Sequence, residues 1–190
     1  MHYNTKKIMS ITRRSALKHL LIVTGGISLI PSCFQENDNT SIPLSNLDLN
    51  GSLEKLLAEI EETIIPATDT PGAKELQTHL FTLIMLNDCY DKNKQQQFVK
   101  GLKEINTISK KEFGNPFVEC TTPQREEILT SIENKKGYSE DVSAFYAMTK
   151  DLTIRGYMNS KYVMTNLVIY ELVPGRFNGS YPVNKKNIRV

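Results

Sequence analysis

Few residues after position 32 are chemically versatile, and their spacing limits what they can do. His79 is the only histidine there, since His2 and His19 fall earlier, so any Ser-His-Asp or Cys-His relay has to run through it. It stands beside Leu80 inside an apolar pattern of helical period, which predicts a packed or half-exposed helix residue rather than a general base. Glu61 and Glu62 are neighbours on the same pattern and point to different sides of a helix, so they are not an acid/base pair. Asp69 lies in a proline-rich loop, where its carboxylate is expected to cap the loop or the next helix through backbone amides. Cys89 and Cys120 can be joined in an oxidising compartment or remain free thiols, and spacing leaves both open.

The motifs that hold cofactors are missing from the sequence. There is no Cys-x-x-Cys, no haem attachment run, no His-Glu-x-x-His, no Gly-x-Gly-x-x-Gly and no phosphate loop. The residues therefore point to no catalytic, cofactor-binding or metal-binding position in this chain.

The elements that carry these residues follow an N-terminal segment of another kind. Arg13 and Arg14, with Lys6, Lys7 and Lys18, precede an apolar run of eleven residues from Leu20 to Ile30, which ends at Ile30-Pro31-Ser32-Cys33. This pattern reads as a twin-arginine export signal over 1–32 ending at a lipidation site, Cys33. The run is too short for a hydrocarbon layer that needs roughly 20 residues. The expectation is an exported protein held by a lipid anchor on the periplasmic face of a bacterial membrane. Without residues 1–32 the chain keeps 18 basic and 21 acidic residues, so its formal charge is minus three. Nucleic-acid binding loses its electrostatic basis, and the pairs Lys110-Lys111 and Lys185-Lys186 read as solvated surface.

Residues 33–51 are polar and lack helical period, which predicts a flexible tether. The remaining 52–190 suit one all-α domain of five or six helices with an extended C-terminal arm. Leu53, Leu56, Leu57, Ile60 and Ile64 mark a first helix behind a Ser52 N-cap, stopped by Pro66. Leu76, Leu80, Leu83, Ile84 and Leu86 mark a second, running toward Cys89. Phe98, Leu102, Ile105 and Ile108 form the buried stripe of a third, over about 94–112, ended by Gly114 and Pro116. Thr122-Pro123 opens a short fourth that buries Ile128, Leu129 and Ile132. Ser139 caps a fifth with Val142, Phe145, Tyr146, Met148, Thr149, Leu152 and Tyr157 on its apolar face. Residues 162–170 read as helix in preference to strand.

Several segments together resemble a known family. Ile64-Ile65-Pro66-Ala67-Thr68-Asp69-Thr70-Pro71-Gly72-Ala73 is the most specific of them. The others are Phe98 with Gly101-Leu102, Phe113-Gly114-Asn115-Pro116-Phe117, Leu152-Thr153 with Gly156-Tyr157, and Tyr170-Glu171 with Pro174-Gly175-Arg176-Phe177-Asn178-Gly179. Over about residues 53–182 the chain is similar to the gluconate 2-dehydrogenase subunit 3 family. The resemblance implies a small subunit beside a large FAD-dependent sugar or polyol dehydrogenase of the glucose-methanol-choline type. It also implies that FAD sits in that partner, that a cytochrome c is a candidate electron acceptor, and that one twin-arginine signal serves both subunits. The lipoprotein-type front departs from the family pattern.

The family supplies no catalytic residue to carry over, so the expected site is a contact surface. Pro66, Asp69, Pro71 and Gly72 in the loop, and Tyr170, Pro174, Gly175, Arg176 and Phe177 in the arm, are the candidate partner contacts. The leading expectation is a non-catalytic subunit that escorts, stabilises and anchors the dehydrogenase. A free-standing enzyme and an envelope lipoprotein with a binding or structural role are the alternatives.

Overall fold

Apolar residues at helical spacing, separated by good caps, give five α-helices in a computed structural model, which describes residues 38–134, 137–168, Gly175 and Ser180. These helices are α1 (Gly51–Ile64), α2 (Thr78–Cys89), α3 (Lys92–Phe113), α4 (Thr122–Glu133) and α5 (Glu140–Met158), with a 3-10 turn at Phe117–Glu119 and a π-helical turn at Val163–Leu167. The described residues contain no strand, so the all-α reading holds. No helix among them is long and apolar enough to cross a membrane. The expected signal, Cys33 and most of the C-terminal arm lie outside the described residues.

The helix ends follow local chemistry, with three shifts from expectation. Asn50, not Ser52, is the N-cap of α1: its Oδ1 accepts from the Leu53 N–H at 3.1 Å, while the Ser52 N–H donates to Asp38 Oδ1 at 2.8 Å. Helix α2 starts after Leu76 because Gln77 adopts a left-handed φ of 54°, which breaks the helical run. In α4 the N-cap is Thr121, whose N–H donates to Gln124 Oε1 at 2.9 Å, leaving Thr122 and Pro123 in the first turn. Helix α3 ends as predicted, with Gly114 at φ 78° returning its N–H to Lys110. Ser139 caps α5 through the Val142 N–H at 3.3 Å.

Helix α5 is the centre of the bundle and packs against each of the other four. Its tightest approach is to α3 at Gly101, where an added Cβ would lie 2.4 Å from Phe145 Cβ and 2.6 Å from the Asp141 carbonyl oxygen. That closeness lets the Phe98 and Phe145 rings meet at 4.9 Å between centroids. Leu56, Leu57, Ile60, Leu83, Leu102, Ile105, Phe117, Ile128 and Leu152 fill the rest of the core.

The expected tether is a packed segment from Asp38 onward. Leu47 is buried in the core, and Ile42, Leu44 and Leu49 pack on it. The Ser41 N–H donates to Glu54 Oε2 at 2.7 Å, the Asn46 N–H to Asn87 Oδ1 at 2.8 Å, and the Gly51 N–H to the Asp38 carbonyl at 3.0 Å. Apolar residues spaced along a polar stretch cover the ends of α1 and α2, a long-range fit that composition alone conceals.

Candidate functional site

The loop between α1 and α2 is built from the inside by one carboxylate. Glu62, in the last turn of α1, accepts from the Ala67 N–H at 2.9 Å and the Lys74 N–H at 2.8 Å, so both strands of the loop are tied to one side chain. Such amide bonds to an ionised acceptor are stronger than neutral ones. Gly72 is buried against the same group: a Cβ there would sit 2.5 Å from each Glu62 carboxylate oxygen and 2.6 Å from the Ala67 nitrogen. The Ala73 N–H donates to the Ile65 carbonyl at 2.9 Å and the Thr68 N–H to the Thr70 carbonyl at 3.0 Å. From α5, the Tyr157 hydroxyl donates to the Pro71 carbonyl at 3.1 Å, with Thr70 Oγ1 at 3.4 Å.

This inner bracing leaves Pro66, Ala67, Thr68 and Asp69 exposed as a rigid outer edge. Asp69 is expected from sequence to cap the loop amides, but Glu62 has taken that role, and Asp69 Oδ1 accepts from the Thr68 hydroxyl at 3.0 Å. Of the predicted contact residues, Pro66, Asp69, Pro71 and Gly72 come together in this loop, with Pro71 half-buried. Gly175 is exposed, with open space where a side chain would stand. Tyr170, Pro174, Arg176 and Phe177 lie outside the described residues.

Beneath the loop, α1 and α2 meet across a polar seam. Glu61 is fully buried and its Oε2 accepts from the Thr78 hydroxyl at 2.5 Å, while its Oε1 has no hydrogen-bond partner. The Thr82 hydroxyl faces the same carboxyl without closing a bond to it. Burial pushes the Glu61 carboxyl up from its ordinary value of 4.5 to about 7, against the opposing effect of the two threonines. Thr78 Oγ1 also lies 3.1 Å from the Ala73 carbonyl. A protonated Glu61 can thus donate to Thr78, which in turn donates to Ala73, the residue that closes the loop onto Ile65. Two turns before Glu61 in α1, Glu54 Oε1 stands 3.6 Å from His79 Nε2, and the His79 Nδ1 is buried without a partner. Burial holds His79 below its ordinary value of 6.5, partly offset by Glu54. His79 lies within α2 and is half-buried, paired with Glu54.

A second brace joins the loop to the far side of the bundle. Glu59 pairs with Lys74 and, at 2.6 Å, with Arg125 Nη1. Burial alone would raise the Glu59 carboxyl, but its bonds to Lys74 and Arg125 outweigh that and hold it below 4.5. Arg125 also donates to the Phe117 carbonyl at 3.1 Å and the Val118 carbonyl at 2.6 Å, and lies 5.6 Å from the Phe117 ring centroid. Sequence inspection missed Glu62, Tyr157 and this Glu59–Arg125 link. The only available sign of Glu62 was a carboxylate placed one turn ahead of a loop with unpaired amides.

The two cysteines do not form a bridge. Cys89 is exposed at the end of α2, and Cys120 is buried with its Sγ 3.0 Å from Ser109 Oγ. No group of three His, Cys, Asp or Glu side chains among the described residues could hold a metal ion. The arrangement presents a braced, outward-facing loop edge.

Neither a curated protein nor a solved structure matches the chain significantly. A family model described as gluconate 2-dehydrogenase subunit 3 matches residues 53–175. That span holds the whole braced loop, its Glu62 and Tyr157 supports and the Gly101 crossing, and it covers well over half of the sequence. The chain belongs to the gluconate 2-dehydrogenase subunit 3 family.

Proposed function

We propose that this protein is a non-catalytic subunit that escorts and stabilises a large FAD-dependent sugar or polyol dehydrogenase and anchors it at the envelope through Cys33. The Pro66–Asp69 edge is its contact surface. The observation that carries this reading is the bracing of that edge: Glu62, Gly72, Ala73 and Tyr157 fix its backbone from inside while Pro66 and Asp69 face outward. A surface already fixed in its binding shape loses little conformational entropy on association, which favours affinity. FAD belongs to the partner in this reading, and the contribution of this chain is shape and hydrogen bonding. A cytochrome c that accepts electrons would likewise meet the large subunit.

The test is co-purification. The wild-type chain is expected to hold the large flavoprotein subunit, and Pro66→Gly with Asp69→Arg to weaken that complex by about 2 kcal/mol or more if these residues anchor the interface. An unchanged affinity in a variant with unchanged melting would remove the loop from the interface. Flavin absorbance on the small subunit alone would overturn the non-catalytic reading.

A further inference from the structure

Helix α3 carries lysine as the only charged residue type along one outward face. With 3.6 residues per turn, Lys92, Lys100, Lys103, Lys110 and Lys111 fall within about 100° of its circumference. On the helix itself Gln96 and Thr107 fill the gaps, and Glu104 sits at the border, turned to the Ser139 hydroxyl at 2.6 Å; the nearby carboxylates come from other segments, Asp141 beside Lys100 and Asp48 beside the N-terminal half of the row. All five lysines are exposed. Lys100 pairs with Asp141, and Lys92 donates to the Asn46 carbonyl and side chain at 3.2 and 3.0 Å. Lys103, Lys110 and Lys111 have no ion pair with any described residue. The helix has 22 residues, so the row is roughly 30 Å long. Lys103, Lys110 and Lys111 thus leave positive charge uncompensated on a chain that is net acidic after residue 32, which marks segregated rather than mixed charge.

The residue types choose the partner. Protein interfaces favour Arg, Tyr, Trp and Phe at their cores and avoid Lys, and this face contains neither arginine nor an aromatic ring. Lysine on a long, flexible stem suits a plane of diffuse negative charge, where each basic side chain is attracted without a fixed pocket. A straight helix presents such a row in one line. The packed segment 46–48 runs beside it, since Asn46, Leu47 and Asp48 line one groove with Lys92, Lys100 and Lys103. We propose that the lysine face of α3 lies on the anionic headgroups of a phospholipid bilayer and so fixes the orientation of the subunit at the membrane surface. This contact does not depend on a lipid at Cys33, which would only add to it.

The experiment uses the protein purified from cells with Cys33→Ala in every sample, so that no acyl chain decides the outcome. Binding is measured by co-sedimentation with vesicles of phosphatidylcholine mixed with phosphatidylglycerol, and with vesicles of phosphatidylcholine alone. The preference for the anionic vesicles is the readout, because any binding that does not depend on the lysines of α3 is common to all samples. Lys103→Gln, Lys110→Gln and Lys111→Gln together are expected to reduce that preference on the order of 100-fold, about fivefold per charge. Glutamine avoids placing carboxylates in the last turn of α3, where the helix dipole would oppose them. If the triple variant melts early, Lys103→Gln alone is expected to give the fivefold loss. Added chloride should weaken binding of the unsubstituted face as screening grows. An unchanged preference in the folded triple variant would overturn the proposal. So would displacement by inorganic phosphate beyond that by chloride at equal ionic strength, which would mark a small-anion site. Loss of affinity for the flavoprotein subunit with unchanged vesicle preference would assign the face to a protein and overturn it equally.

Discussion

Replacing Glu61 by Gln should remove a specific part of the pH dependence of stability. The Glu61 carboxyl titrates near 4.5 in the unfolded chain and at about 7 in the fold, because burial opposes its charge. The unfolded state then releases the proton first as pH rises, so stability is complete below the unfolded value and declines until pH passes the folded one. A separation of about 2.5 units at 1.36 kcal/mol each corresponds to about 3 kcal/mol in full, of which about 2.5 kcal/mol falls between about pH 5 and pH 8. For a domain of this size that is a fall in melting temperature on the order of 5–10 °C. His79 acts with the opposite sign: its depressed folded value costs stability as pH falls through and below 6.5. The Glu61→Gln variant keeps His79, so the difference between wild type and variant isolates the carboxyl. Its amide can still meet the Thr78 hydroxyl and fills nearly the same volume. The assay is urea or thermal unfolding of both proteins across this pH range. Relative to the variant, the wild type should lose about 2.5 kcal/mol of stability between about pH 5 and pH 8. Parallel curves would refute the assignment of a raised, proton-holding Glu61 beneath the loop.

Gly72→Ala should destabilise the protein by about 1–3 kcal/mol, since the new Cβ meets the Glu62 carboxylate and the Ala67 nitrogen and forces the brace apart; unfolding curves would show it, and an unchanged midpoint would mean that the loop is loosely held. Arg13→Lys with Arg14→Lys should keep both this chain and its flavoprotein partner in the cytoplasm, as followed by cell fractionation, if one signal exports both. Normal export of the partner would count against escort.

Much of the helical plan was legible because helix chemistry is local. The apolar spacing from Leu53 to Ile64 and from Phe98 to Ile108, the Ser139 cap and the Gly114 stop each act within a few residues, so the order of elements could be read along the chain. The loop from Pro66 to Gly72 was equally visible as a motif, and its residues do meet in one place. What braces it was not visible. Glu62 and Glu61 are adjacent acids of the same chemistry, yet one caps amides at the surface and the other is buried in the core with its carboxyl pushed up to about 7, because consecutive helix residues point to different environments. Tyr157 reaches Pro71 across 86 positions, and Arg125 reaches Glu59 across 66. The segment from Asp38 to Leu49 looked like a tether because its polar residues dominate the composition, while its few apolar ones find partners only once α1 and α2 are side by side. Sequence determined which stretches could be helices and which residues could turn the chain. Only tertiary contact decided which carboxylate is solvated, which is buried and which holds the loop, because solvation and hydrogen bonding are set by neighbours that the chain brings in from far away.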